Sequence, residues 1–291
     1  MRVPLMFACT CALASCERGS PDMVPPPSQP IPDTSIIRDA VGGQPLAMTS
    51  EQVESELVAL RDAASSFRIT DAYDDNGNLA RTADCTGDTC RLGDESISVA
   101  DLDTSGVTFE AVMTHNGLPV FQAARETALA DGGTRRNIFF GAWMDDGAFW
   151  LQANRRRDAE GQTSAYEAFG ATIGDATGER PNGSGTATWS GIMFGVNRSE
   201  REGYQGDAEI TVDFADADAD VAFTNIHEAV TGVAQSDITF SDVPLTADGF
   251  ASGTRPGNRI AAIFYGIDHA EVGGTFEHDE MTGAFGARKD E

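Results

Sequence analysis

Beyond residue 68 the chain alternates apolar and polar residues with a period of two, in short runs broken by Gly, Asp and Asn. That pattern leaves few folds open. The runs fall at 97–99, 107–112 and 118–122, the last preceded by the turn signal Asn116-Gly117. Residues 137–144 and 148–153 flank Asp145-Asp146-Gly147 as a hairpin. Further runs follow at 166–173, 186–196, 208–214, 220–226, 237–241, 249–253, 260–265, 272–276 and 283–287. Many short strands with no helix between them predict an antiparallel barrel or sandwich. Twenty-one of the 31 glycines and twelve of the 16 phenylalanines follow residue 137. Glycine lets strands coil tightly and aromatics cover the bare backbone, which is how small barrels close. The fold expected is mainly β: an eight-stranded-type antiparallel barrel behind a short N-terminal segment of helix and strands. The strands are too short, and too polar on both faces, for the lipid-facing band of a membrane barrel.

One helix is expected, over 49–67. Thr49-Ser50-Glu51-Gln52 reads as a capping box, and Val53, Leu57, Leu60 and Ala64 form one apolar stripe. Such a stripe can bind a partner or lie on the protein's own sheet; the second reading is preferred.

The first sixteen residues read as an address. Met1-Arg2 starts a run of about ten apolar residues, the length of a signal-peptide core and too short to span a bilayer. It ends in Leu13-Ala14-Ser15-Cys16, the pattern of a bacterial lipobox, so Cys16 is the expected lipidation site behind a signal peptide of 1–15. Six prolines between Pro21 and Pro32 favour an extended tether, giving an anchor-and-tether segment of 16–47. Residues 48–134 are then the helix with its strands, and 135–291 the barrel. No other segment approaches a transmembrane length. Cys85 and Cys90, the two cysteines left beyond the anchor, suit a small-loop disulfide at a hairpin tip. The same pair could supply half a metal site, though no second thiol or histidine pair accompanies it.

Charge narrows the partners. Forty-six acidic residues against 20 basic ones give a net charge of −26. A surface that acidic repels phosphate backbones and excludes unassisted nucleic-acid binding, and it disfavours a polybasic attachment to anionic lipid.

Several segments of the last third carry a family resemblance. Ile263-Phe264-Tyr265-Gly266, Glu271-Val272-Gly273-Gly274-Thr275-Phe276-Glu277 and Thr282-Gly283-Ala284-Phe285-Gly286-Ala287-Arg288 resemble the closing strands of the transferrin-binding protein B barrel. Phe140-Gly141-Ala142-Trp143 and Ala187-Thr188-Trp189-Ser190-Gly191 are similar to two more of its strands. The resemblance covers about 137–291. It implies a surface lipoprotein whose barrel scaffolds binding loops; some such proteins capture iron- or haem-carrying host proteins, and others are known only as solute-binding-like. This chain departs from the pattern in having one barrel instead of two lobes. No cap loop aligns with those that contact transferrin, so transferrin is not carried over.

Signs of catalysis are sparse. There is no Gly-x-Ser-x-Gly elbow, no His-Glu-x-x-His and no phosphate-binding loop. His269, Glu271 and the run His278-Asp279-Glu280 could approach a two-histidine metal site, but solvated hairpin residues are the preferred reading. Asp213, Asp216, Asp218 and Asp220 alternate as calcium ligands do, yet the sixth and twelfth positions from Asp216 are Val221 and His227, not Gly and Glu. Asp74-Asp75-Asn76-Gly77-Asn78 also misses that register and reads as a turn. Arg155-Arg156-Arg157 is the one basic run; it fits an acidic partner less well than neighbouring carboxylates.

The sequence therefore predicts no catalytic residue, no metal ligand and no cofactor. It predicts a monomeric, non-enzymatic lipoprotein, held in the outer membrane through its lipid anchor and facing the cell surface or the periplasm. Its ligand would be an extracellular protein or a solute of the iron or haem type. The alternative is a structural or assembly lipoprotein without a small ligand.

Overall fold

Thr49 sets the start of the helix by donating its main-chain N–H to Gln52 Oε1 at 2.8 Å while its Oγ1 accepts from the Gln52 N–H at 3.3 Å. That is the reciprocal box the sequence predicts. The computed structural model describes residues 44–290 apart from 75, 103–105, 200–201 and 254–256. The expected leader, Cys16 and the tether as far as residue 43 lie outside the described residues.

In chain order, β1 (Gln44–Pro45) precedes α1 (Ser50–Ala63), β2 (Ser66–Ile69), β3 (Ala72–Tyr73) and β4 (Leu79–Arg81). A small hairpin layer follows: β5 (Ala83–Thr86), β6 (Thr89–Leu92) and β7 (Glu95–Ser98). Longer strands come next: β8 (Thr108–His115), β9 (Leu118–Ala128), β10 (Thr134–Trp143), β11 (Gly147–Arg157) and β12 (Thr163–Gly174). The last third holds β13 (Thr186–Asn197), β14 (Gly203–Asp213), β15 (Asp218–Glu228) and β16 (Ile238–Pro244). It ends in β17 (Gly249–Gly253), β18 (Arg259–Tyr265), β19 (Glu271–His278) and β20 (Met281–Lys289).

These strands form three antiparallel sheets. The first has the order β1-β8-β9-β10-β11-β12-β3-β4, with β2 also paired to β12. The second has the order β16-β15-β14-β13-β20-β19-β18-β17. A bridge between Leu245 and Phe250 brings its edge strands together, so these eight strands make the nearly closed barrel that the sequence predicts. Trp189, Phe223, Phe250, Phe264, Phe276 and Phe285 fill its interior.

Two boundaries differ from the sequence reading. The helix ends at Ala63 rather than 67, because 66–69 is taken by the ladder to β12, where Phe67 faces Ile173. The barrel begins at Thr186 rather than 135. Residues 134–174 belong to the first sheet, where β10 is in register with β9 and β11 along nearly its whole length. Period-two alternation marks a strand without saying which sheet it joins.

The sheets meet along β11–β12 and β18–β20, and glycine makes the contact possible. Tyr265 lays its ring over the paired Gly147 and Gly174 and over Gly273; a Cβ on any of the three would come within 2.7 Å of the ring. Its hydroxyl lies 3.0 Å from Thr172 Oγ1, and burial pushes the phenol up to about 12. The glutamates at both ends of the Glu271–Glu277 motif clamp the same seam. Glu271 accepts from the Asp145 and Asp146 amides at 2.7 and 2.8 Å. Glu277 accepts from the Asp71 amide at 3.2 Å, the Tyr73 hydroxyl at 2.8 Å and Arg259 Nη2 at 2.5 Å. Burial pushes the Glu271 carboxyl up, against the pull of the two amides and Arg288.

Candidate functional site

The residues singled out by sequence do not converge. Cys85 and Cys90 face each other across β5–β6 and their sulfurs are bonded, which leaves no thiol there for a metal. His269 and His278 stand at opposite ends of β19, and the Glu271 carboxylate between them is occupied by main-chain amides. His269 Nε2 lies 3.0 Å from the Glu179 carbonyl. No group of three metal-ligating side chains occurs among the described residues. Asp213 folds its own hairpin, its Oδ1 accepting from the Ala215 and Asp216 amides at 2.7 and 3.3 Å. Asp74 does the same for Asn76 and Asn78, both at 2.9 Å, and those bonds hold its carboxyl below the usual range. Asp75 lies outside the described residues. Of the basic run, Arg156 pairs with Asp131.

What the fold does assemble is a cavity. The inner face of the first sheet carries Phe121, Ala123, Phe139, Ala148, Trp150 and Phe169, all on strands β9–β12 and in mutual register. Successive side chains of a strand alternate faces, so these residues share one surface. Helix α1 crosses above them through Leu57 and Arg61, the Val99–Leu102 turn adds Leu102, and β2 and β8 add Phe67, Ile69 and Phe109. The space between them is about 240 Å³ and opens to solvent on one side. Its depth is apolar: Ala123 is fully buried, and Phe67, Phe109 and Phe121 are nearly so. Polar groups stand at its margin, where Arg61, Asp101, Arg125 and Gln152 line it. Arg61 Nη1 donates to the Leu102 carbonyl at 3.1 Å, tying the helix to the turn that borders the opening. Asp101 accepts from Ser98 through its main-chain N–H and its hydroxyl, at 2.9 and 2.7 Å, which lowers its carboxyl.

Protein interiors are packed to crystal density, with few voids larger than a water molecule. This recess opens to solvent on one side, and its aromatic walls leave apolar surface that a small apolar molecule can cover. The sequence reading missed this site because its lining comes from α1, the Val99–Leu102 turn and strands β2 and β8–β12. The local signal is the density of aromatics on strands β9–β12, of which the sequence reading places only β10–β12 in the barrel.

The sequence matches no family model and no curated protein. Among solved structures, intact Ap-TbpB (N and C lobes) is similar with a TM-score of 0.37 and 14% identity, over 76% of this chain and 46% of that one. Transferrin Binding Protein B from Haemophilus parasuis Hp5 is similar with a TM-score of 0.40 and 13% identity, over 77% of this chain and 45% of that one. The chain thus spans less than half the length of either structure.

Proposed function

We propose that this chain is a lipid-anchored envelope protein that binds a small apolar molecule beneath α1 without transforming it. The observation that carries the reading is the unfilled space of about 240 Å³ walled by Phe67, Phe109, Phe121, Trp150 and Phe169. That volume lies just under the ~300 Å³ lower end of ordinary ligand pockets, so the occupant is compact or leaves a polar end at the margin. Arg61, Arg125 and Gln152 would meet such an end. Among the described residues the lining holds no His, Cys, Met or Tyr, so an iron porphyrin would find no axial ligand in it, and this cavity does not support a haem ligand. Anchoring rests on the Leu-Ala-Ser-Cys pattern at Cys16 and the proline-rich stretch after it.

Two experiments test the parts separately. Labelled palmitate should enter the wild-type protein and not Cys16→Ser; labelling of both would remove the anchor assignment. Cyclohexane titrated into the full chain carrying Cys16→Ser should shift the methyl resonances of Ile69, Ala123, Ala148 and Ile173 saturably. Unmoved methyls would remove the ligand reading.

A second reading is capture of a protein at the barrel end formed by the β15–β16 loop, where Val230 and Val233 are 68% and 56% exposed. Scattered exposed apolar residues are ordinary, so the aromatic-walled recess beneath α1 is preferred. A cell-surface protein of the second kind would be removed by protease from intact cells, and protection would sink that reading.

A further inference from the structure

We propose that a second cavity, at Arg198 on the seam between the first sheet and the barrel, is a binding site for a small oxyanion such as a carboxylate or phosphate group. It stands apart from the helix cavity and does not depend on it. The space is about 320 Å³ and is bordered by Tyr73, Gly77, Arg198, Ser199 and Glu280 among others.

The argument starts from the charge. Arg198 is only 9% exposed, yet its guanidinium makes no ion pair and no hydrogen bond among the described residues. Its one recorded partner is the ring of Tyr73, whose centroid lies 4.3 Å from Cζ. A cation over an aromatic face gains up to about 2 kcal/mol when desolvated, but that contact leaves the N–H edges of the fork unused. Buried charges are ordinarily paired, because removing an ion from water costs several kcal/mol.

The neighbouring anions are already committed. Glu277 takes the Asp71 amide, the Tyr73 hydroxyl and Arg259, and makes no bond to Arg198. Glu280 holds the Ser199 hydroxyl on its Oε2 at 2.8 Å. The main chain that carries it is also held in place. The Arg198 amide donates to the Glu280 carbonyl at 2.7 Å, and the Ser199 amide donates to Asn197 Oδ1 at 2.9 Å. Gly77 of the first sheet packs on the Arg198 main chain, where even a Cβ would sit at 3.5 Å. A guanidinium laid over the Tyr73 ring, without an ionic partner among the described residues and facing a polar space, is complementary to a planar or tetrahedral oxyanion, which it can bind through two parallel N–H bonds. The exposed Glu280 carboxylate on the border opposes a purely anionic guest, and this fixes the sign of one test.

The experiment titrates the full chain carrying Cys16→Ser with inorganic phosphate and, separately, acetate, with sodium chloride holding ionic strength constant. The thermal midpoint and the binding heat are both read. A saturable rise in midpoint with at least one of the two anions is expected, beyond the chloride control. Arg198→Met should bind at least about tenfold more weakly while keeping or raising the anion-free midpoint, since it removes a buried charge without a partner. Glu280→Gln should bind about threefold more tightly, because a repelling charge is gone. If Arg198→Met does not fold, Glu280→Gln decides. No saturable shift with either anion, an undiminished response in Arg198→Met, or weaker binding by Glu280→Gln would each overturn the proposal.

Discussion

Phe67 and Trp150 stack with ring centroids 6.5 Å apart and planes 19° from parallel, although 83 positions separate them in the chain. The register explains the contact: Phe67 faces Ile173 across β2–β12, and Trp150 faces Ala171 across β11–β12. The two rings therefore sit on adjacent rows of one sheet face and form a rigid wall of the cavity. Ala123 lies on the same face, fully buried, and marks where the wall lacks bulk.

Filling that gap should stabilise the protein. Ala123→Leu places new apolar surface in existing space and is expected to raise the urea-unfolding free energy by about 1–2 kcal/mol. The same change should weaken binding of apolar probes. A loss of stability would mean that the space is not open at this position.

Gly174→Ala should cost about 1–3 kcal/mol, because the new methyl would lie 2.7 Å from the Tyr265 ring and the two sheets would have to part. Combined with Tyr265→Ala, the substitution should cost much less. A double-mutant cycle that shows no coupling would contradict the packing described.

Glu277→Ala should destabilise by about 3 kcal/mol, since it strips the buried carboxylate from Arg259 and leaves the Tyr73 hydroxyl and the Asp71 amide without their acceptor. Denaturant unfolding measures this directly; an effect below 1 kcal/mol would show that the seam does not depend on this residue.

Glu271 carries a pH signature. Burial raises its carboxyl above the ordinary 4.5, so through the interval above that value the folded chain holds a proton that the unfolded chain has lost. Its contribution to stability is thus complete below 4.5 and declines as pH rises through the folded value. The advantage of wild type over Glu271→Gln should be largest near pH 4 and shrink toward pH 7. An advantage that grows with pH would reverse the assignment.

Replacing both Cys85 and Cys90 by Ser should cost about 2 kcal/mol, the loop-closure value for so short a loop. The same loss should follow addition of reductant to wild type and be absent in the double variant.

Much of this fold is legible in the sequence, and the part that is not has a physical cause. The capping box at Thr49 and Gln52, the cystine of the β5–β6 hairpin and the strand run are local patterns, readable from neighbours a few positions apart. Glu271 and Glu277 were visible as parts of a motif, but their clamping role was not, since their partners at Asp145, Asp146, Asp71 and Tyr73 are more than 120 positions away. The cavity failed to show for the same reason: β10–β12 alternate as barrel strands do, and nothing local says that they turn their aromatic face toward a helix. Arg198 carries no local signal at all, because Tyr73 and Gly77, which lie against it, are more than 120 positions away.

The binding claim is tested most directly by titrating cyclohexane into the full chain bearing Cys16→Ser and comparing it with the same chain carrying Ala123→Leu, by methyl NMR. The expected result is saturable shifts confined to the lining methyls, among them Leu57, Ile69, Leu102, Ala148, Ile173 and, in the first protein, Ala123, with affinity at least about fivefold lower in the filled variant. Shifts that are absent, or equal in the two proteins, would contradict a ligand site beneath the helix.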